Sequence, residues 1–375
     1  MKDANSLDHA LQDNKGGQIQ QHSDLKRQFR CVGLTMFLIS CGLLILRTVF
    51  SFVSIAGVNL GANNGYVADL FFSLLMQIGI LFLMPLFIFK FVLKKSTLQV
   101  FLFSNIRKTS IKNIIISVAL GICFFIVTIA VSTIWQIFLS SLGYRSSTSS
   151  DADSVNGWWF FLSIFTVAVL PGFCEEFALR GGFLTTIDSV YNRTSVLIVG
   201  GIAFGLFHQF IGQVFFTAVG GVFLVYITLL TKSIWPSVIV HFINNGIGNY
   251  LAFAKQNGWL GSGFFDSIKD NIGIAFLILM VCFSIGMLLL LILKKINKNP
   301  QSNKRNKLLK NSLMVSFATV NPIVMPSTVL SSSPELDSTS NIKTKFKPDL
   351  YDYAFYLGAL CVTITSTIFS FIWGL

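Results

Sequence analysis

The chain has 375 residues, of which 53% are hydrophobic, 14% aromatic and 12% charged. So little charge cannot cover the surface of a water-soluble domain, and so much apolar side chain excludes disorder over most of the length. The formal charge of +12 asks for a membrane explanation before a nucleic-acid one, and the composition predicts an all-α, polytopic membrane helical bundle.

In chain order, residues 1–32 form a polar segment mixing Asp3, Asp8, Asp13 and Asp24 with Lys and Arg. No apolar core with a small-residue cleavage site follows at signal-peptide length, so the first span is expected to be retained as a start-transfer helix. Apolar stretches of about 20 residues then predict eight or nine membrane helices, at 33–54, 66–90, 113–140, 157–184, 196–208, 214–230, 233–253, 271–293 and 352–373. The chain divides accordingly into three N-terminal helices with a basic loop (33–140), a core at 157–253, a helix at 271–293 and a last helix at 352–373. Between the last two, residues 294–350 start basic and turn Ser/Thr/Pro-rich, as a cytosolic linker would.

With a cytosolic N-terminus, the Lys and Arg outside the spans fall on the cytosolic side except for Arg145, Lys255 and Lys269. The basic balance thus reads as orientation in a cell membrane crossed many times. Membrane lipids are the partner it implies, and no nucleic acid; the basic run from Lys294 to Lys310 reads as a stop-transfer flank, with binding of anionic head groups as the alternative. The cysteines Cys31, Cys41, Cys123, Cys174, Cys282 and Cys361 make no CxxC, which argues against a disulfide framework or a zinc knuckle. Cys174 is best read as a small packing residue.

A charge at mid-membrane costs about 2.5 kcal/mol or more, so each one inside a span is a functional candidate. The set is Arg47, Asp69, Glu175, Glu176, Arg180, His208 and His241. Arg47 and Asp69 suit mutual pairing or snorkelling. Glu176 and Arg180 are four apart, acid first, on one helical face, and an ion pair there leaves Glu175 without a local partner. Pro171 cannot donate to the Val167 carbonyl and is expected to open polar backbone beside the site. Phe204 and His208 come next at helical spacing, with Gly200, Gly201 and Gly205 allowing a close helix neighbour. His241 and Asn245 share a face of the seventh span, and Asn244 points about 100° away. From the cytosolic ends, Glu175 and His241 lie ~12–14 Å deep and His208 ~20 Å. These residue types can activate a water and hold the oxyanion it generates.

Glu175-Glu176-x-x-x-Arg180, Phe204-x-x-x-His208 and His241-x-x-x-Asn245 resemble, in order and spacing, the three motifs of the CPBP (Abi-like) intramembrane proteases, related to the type II CAAX prenyl endopeptidases. The resemblance covers 157–253. It implies an intramembrane endopeptidase acting on a peptide or lipid-anchored protein; the charge distribution and the depths above place the active site opening toward the cytosol. It further implies Glu175 activating water with help from His208, His241 and Asn245 stabilising the oxyanion, and Glu176 and Arg180 orienting and charge-balancing the site. Peptide maturation or a bacteriocin-related role fits the family's bacterial members. That family is commonly labelled metalloprotease, and two His and a Glu match the protein ligands of a catalytic zinc. The sequence lacks HExxH, and a metal-independent, glutamate-activated water fits the same residues, so zinc stays an open alternative and no other cofactor is expected. The competing reading is a non-catalytic polytopic protein, a transporter or bacteriocin-immunity factor, that uses the buried charges as a binding or proton site.

Overall fold

A computed structural model describes residues 2–55, 70–145, 157–264, 266–267, 271–298 and 347–374. Of the linker expected at 294–350, residues 299–346 lie outside the described residues, as does Asp69. Among those described there is no strand, and the helices are α1 (Lys2–Ile55), α2 (Leu70–Val92), α3 (Thr97–Phe103), α4 (Ile111–Ser141) and α5 (Trp158–Val190). They continue as α6 (Arg193–Phe207), α7 (Ile211–Thr231), α8 (Trp235–Asn257), α9 (Ile272–Asn297) and α10 (Ala354–Trp373).

Segments His22–Phe52, Leu70–Val92, Ile111–Ser141, Trp158–Val190, Ile211–Thr231, Ile272–Asn297 and Leu350–Trp373 are long and apolar enough to cross a membrane. The two remaining expected spans are helical but fall short in different ways. α6 has only 15 residues, below the ~17 needed to span. α8 has 23, but its polar stripe lowers its hydropathy.

The helix ends obey local chemistry. Ser96, Ser110 and Asn192 cap α3, α4 and α6 by accepting a backbone N–H three residues on. Lys232 ends α7 at φ 58° and Gly258 ends α8 at φ 66°, the left-handed stop that releases a helix into a turn. Two prolines mark departures from α geometry. Pro85 in α2 comes after a π stretch at Leu75–Leu83, and Pro171 in α5 after one at Ile164–Val169. A proline ring collides with the carbonyl four residues back, and a wider turn relieves it.

The bundle is stitched at both ends. At one, the Asn105 carbonyl accepts from Ile234 N, Ser233 Oγ donates to the Arg107 carbonyl, and Asn113 and Asn297 exchange side-chain bonds. At the same end, Lys26 and Arg30 of α1 pair with Asp349 and Asp352 ahead of α10. At the other, Arg145 N donates to the Gly374 carbonyl and Ile211 N to Ser370 Oγ. Between them, Met36, Ile39, Leu81, Phe177, Leu224 and Val240 share one core with the site behind it. The expected close approach at the α6 glycines is present: a Cβ on Gly205 would stand 2.4 Å from the Val214 carbonyl oxygen of α7, and one on Gly201 2.4 Å from Val222.

Candidate functional site

Glu175 and Glu176 sit between two π stretches of α5, Ile164–Val169 and Phe177–Phe183, the second broken at Gly181 (φ −79°, ψ −116°). A π turn holds an extra residue and shifts the azimuth of the residues after it. The outcome is that the adjacent carboxylates serve different environments. Glu176 is fully buried, with Oε1 3.1 Å from Arg180 Nη1 and 3.0 Å from His241 Nδ1. Arg180 is fully buried too, its guanidinium carbon 4.1 Å from the Phe204 ring centroid, so the cation is balanced by a carboxylate on one side and a π face on the other. Its contact with Glu176 has ion-pair distance without hydrogen-bond alignment. The expected i, i+4 pair is therefore formed, and Phe204 supplies the second support.

Glu175 instead faces a cavity of about 730 Å³. Its side chain is 15% exposed, Gln77 Nε2 of α2 donates to its Oε1 at 3.0 Å, and Oε2 is 3.9 Å from His241 Nε2. His208 and His241 line the same cavity, as do Asn244 and Asn245, while Glu176 and Arg180 stand behind the wall.

His208 caps the C-terminus of α6, and its Nδ1 lies 2.9 Å from the Phe204 carbonyl oxygen. A carbonyl only accepts, so Nδ1 carries the proton and the neutral ring presents Nε2 as an acceptor. The chain then reverses through Gln209 at φ 48°, whose amide donates to the Ser40 carbonyl. Trp135 Nε1 and Gln136 Nε2 of α4 satisfy the Ile211 and Gly212 carbonyls just beyond. The turn behind His208 is thus held by α1 and α4.

His241, Asn245 and Asn249 repeat every four residues on α8 and form a ladder onto α5: Nδ1 to Glu176, Nδ2 to the Val167 carbonyl at 3.0 Å, and Nδ2 to Ser163 Oγ at 2.8 Å. Val167 is the carbonyl to which Pro171 cannot donate, and Asn245 Nδ2 donates to it. One N–H of that amide is therefore committed to helix pairing, and its second remains for the cavity. Asn244 Nδ2 donates to Asn245 Oδ1, which orients that amide.

Gln77, Asn249 and Asn244's orienting bond are additions to the residues expected from sequence. Asn249 was signalled by one further step of the His241, Asn245 spacing, and Gln77 by a lone amide in the apolar run of α2. Arg47, expected to pair with Asp69 or snorkel, lines the cavity. Cys174 is 2% exposed and packed in the core, as expected for a packing residue.

Among the described residues no three His, Cys, Asp or Glu side chains converge as a metal-ligand group. Each nitrogen of His241 is directed at a carboxylate and His208 Nδ1 at a backbone carbonyl, so the donors do not assemble into a three-ligand zinc centre.

Comparison with protein families matches residues 157–247 to the model described as type II CAAX prenyl endopeptidase Rce1-like. This segment is similar to the CAAX-type intramembrane protease family. It is the family expected from the three motifs, and all six expected site residues fall inside it. Comparison with curated proteins and with solved structures finds no match. With seven helices among the described residues apolar enough to cross a bilayer, the chain is a multi-pass membrane protein carrying a segment similar to the CAAX-type proteases.

Proposed function

We propose that the chain is an intramembrane endopeptidase in which Glu175 activates a water against a peptide bond held in the cavity. The observation that carries this reading is the division of labour between the paired glutamates. Glu176 is neutralised in the core, while Glu175 alone is left on the cavity wall beside His241.

In this reading the Glu175 carboxylate takes a proton from water as the oxygen attacks the peptide carbonyl carbon, then returns it to the leaving amine. Gln77 holds the other carboxylate oxygen and fixes its direction. His208 Nε2, an acceptor, holds the water by its second proton. The oxyanion meets the second N–H of Asn245. His241 Nε2 joins it when that nitrogen bears a proton, since Nδ1–H is committed to Glu176. Glu176 and Arg180 position His241 and balance the site's charge. No step is assigned to a metal.

The substrate class is a peptide or lipid-anchored protein of the membrane. The cytosolic N-terminus, the cytosol-facing site and a core unit at 157–253 are part of the same proposal, supported by the distribution of Lys and Arg. The test is peptide mass spectrometry of membranes containing wild type, Glu175→Ala or His208→Ala protein. Fragments found with wild type and lost, by about a thousandfold or more in rate for Glu175→Ala, support the enzyme. Fragments unchanged in both variants refute it, and substrate retained without any fragment favours a non-catalytic binding protein.

A further inference from the structure

α7 begins without a cap of its own. The first N–H groups of a helix have no partner within it, and a Ser, Thr, Asp or Asn just ahead usually accepts one of them. Ser96, Ser110 and Asn192 do so for α3, α4 and α6, but the residue at that position ahead of α7 is Phe210, whose side chain accepts nothing. The acceptor comes instead from α10: Ile211 N donates to Ser370 Oγ at 2.8 Å, 159 residues further along the chain. Ser370 Oγ itself donates to the Thr367 carbonyl at 2.7 Å. With its one proton committed there, the hydroxyl is left to accept from Ile211.

Ile211 lies three residues after His208, in the turn that presents that imidazole to the cavity. Its carbonyl is taken from the opposite direction by Trp135 Nε1 of α4 at 2.7 Å. Both backbone groups of Ile211 are thus held by other helices. α10 is itself set in place beside Ser370, where the Phe371 ring stacks on Tyr144 at a centroid distance of 6.0 Å and the Gly374 carbonyl accepts from Arg145 N at 2.7 Å. His241, by contrast, lies within α8 and is bonded to Glu176, so its direction does not depend on this turn.

Resting on the endopeptidase reading, we propose that Ser370 is a positioning residue for His208. By capping α7 from outside, α10 fixes the turn that aims His208 Nε2 at the water, so the last helix completes the site although it lies beyond the matched segment 157–247. Without the Ser370 hydroxyl the Ile211 N–H loses its acceptor and the turn can relax. A displacement of about 1 Å in a group that holds a reactant is enough to slow a reaction severalfold or more.

The test uses full-length protein in lipid nanodiscs, labelled with carbon-13 at histidine Cε1. The chain has four histidines, and His208→Gln and His241→Gln assign the two cavity signals. Ser370→Ala should shift or broaden the His208 signal and leave that of His241 in place. Ser370→Thr, which keeps the hydroxyl, should restore the wild-type spectrum. Trp135→Phe, which removes the donor on the other side of Ile211, should move the same His208 signal. With an internally quenched random octapeptide library, apparent kcat should fall about tenfold in Ser370→Ala while apparent KM stays within about twofold, because His208 acts on the water and not on the peptide. Thr365→Val, at an exposed position of α10, should change none of these readouts. An unmoved His208 signal in Ser370→Ala, equal movement of the His208 and His241 signals, or a raised KM with kcat unchanged overturns the positioning role. The two readings fail separately. A His208 signal that moves in Ser370→Ala, with no cleavage by the wild type, removes the endopeptidase and keeps the hold of α10 on His208. Cleavage by the wild type, with signal and rate unmoved in Ser370→Ala, does the reverse.

Discussion

Glu176 and Glu175 are neighbours in sequence but differ in what replacing them should do. Glu176 neutralises the buried Arg180 and receives His241 Nδ1–H, so Glu176→Gln leaves a buried guanidinium with only the Phe204 face. Breaking a buried pair in this way costs about 3–5 kcal/mol, and the thermal midpoint of the purified protein should fall with activity. Gln77 is 1% exposed and bonded to Glu175, but it is neutral and amide-sized. Gln77→Leu should slow cleavage roughly tenfold with a much smaller loss of thermal stability. Equal stability losses for the two variants would contradict this assignment. Candidate site residues were legible from sequence where they carried charge or sat in a motif, because a charge in an apolar run is conspicuous. Neutral amides such as Gln77 and Asn249 cost less to bury, so their roles emerged only with the neighbouring helices in place.

At the level of elements, α6 and α7 are joined through backbone approach, and the turn between them presents His208. Gly205→Ala should force apart two helices that now meet with no room for a methyl group. Overpacking of this kind costs about 1–3 kcal/mol, and because His208 lies three residues on, cleavage should fall further than the loss of folded protein explains. Thermal denaturation paired with specific activity per folded molecule separates the effects; activity that merely tracks folded fraction would place His208 outside the chemistry. The helices themselves were legible as apolar runs of the right length. What those runs could not reveal was the π geometry of α2 and α5. Pro85 and Pro171 signalled a disturbance, but whether a helix kinks or widens depends on packing from its neighbours.

For the molecule as a whole, the order of helices around the site was not legible, since periodicity within a helix says nothing about which helix faces it. α10, beyond the linker, returns to pack on α1, where Asp352 is fully buried and bonded to Arg30, with Lys26 3.7 Å away. Arg30 keeps 47% of its side chain exposed, so removing its partner does not strand a fully buried charge. Asp352→Ala should therefore cost about 1.5–3 kcal/mol, the range for hydrogen bonds to charged groups. Limited proteolysis should then release α10 at lower temperature than in wild type. Unchanged protease resistance would mean that apolar packing alone holds α10 in place.

The π stretch before Pro171 has a consequence for how this site tolerates change. Because it accommodates one residue more than an α turn, the direction in which Glu175 points is recorded in a residue count rather than in any particular side chain at 164–169. Conservative exchanges there preserve the count and should be nearly silent. Deleting a single residue would let the turn tighten to α and keep the carboxylate close to its present direction, whereas adding one, with the wide turn already used, would swing it by about 100°, out of the cavity and into the core, without removing any of the side chains of the proposed chemistry. The segment is thus robust to spelling and to the loss of one residue, but not to a gain.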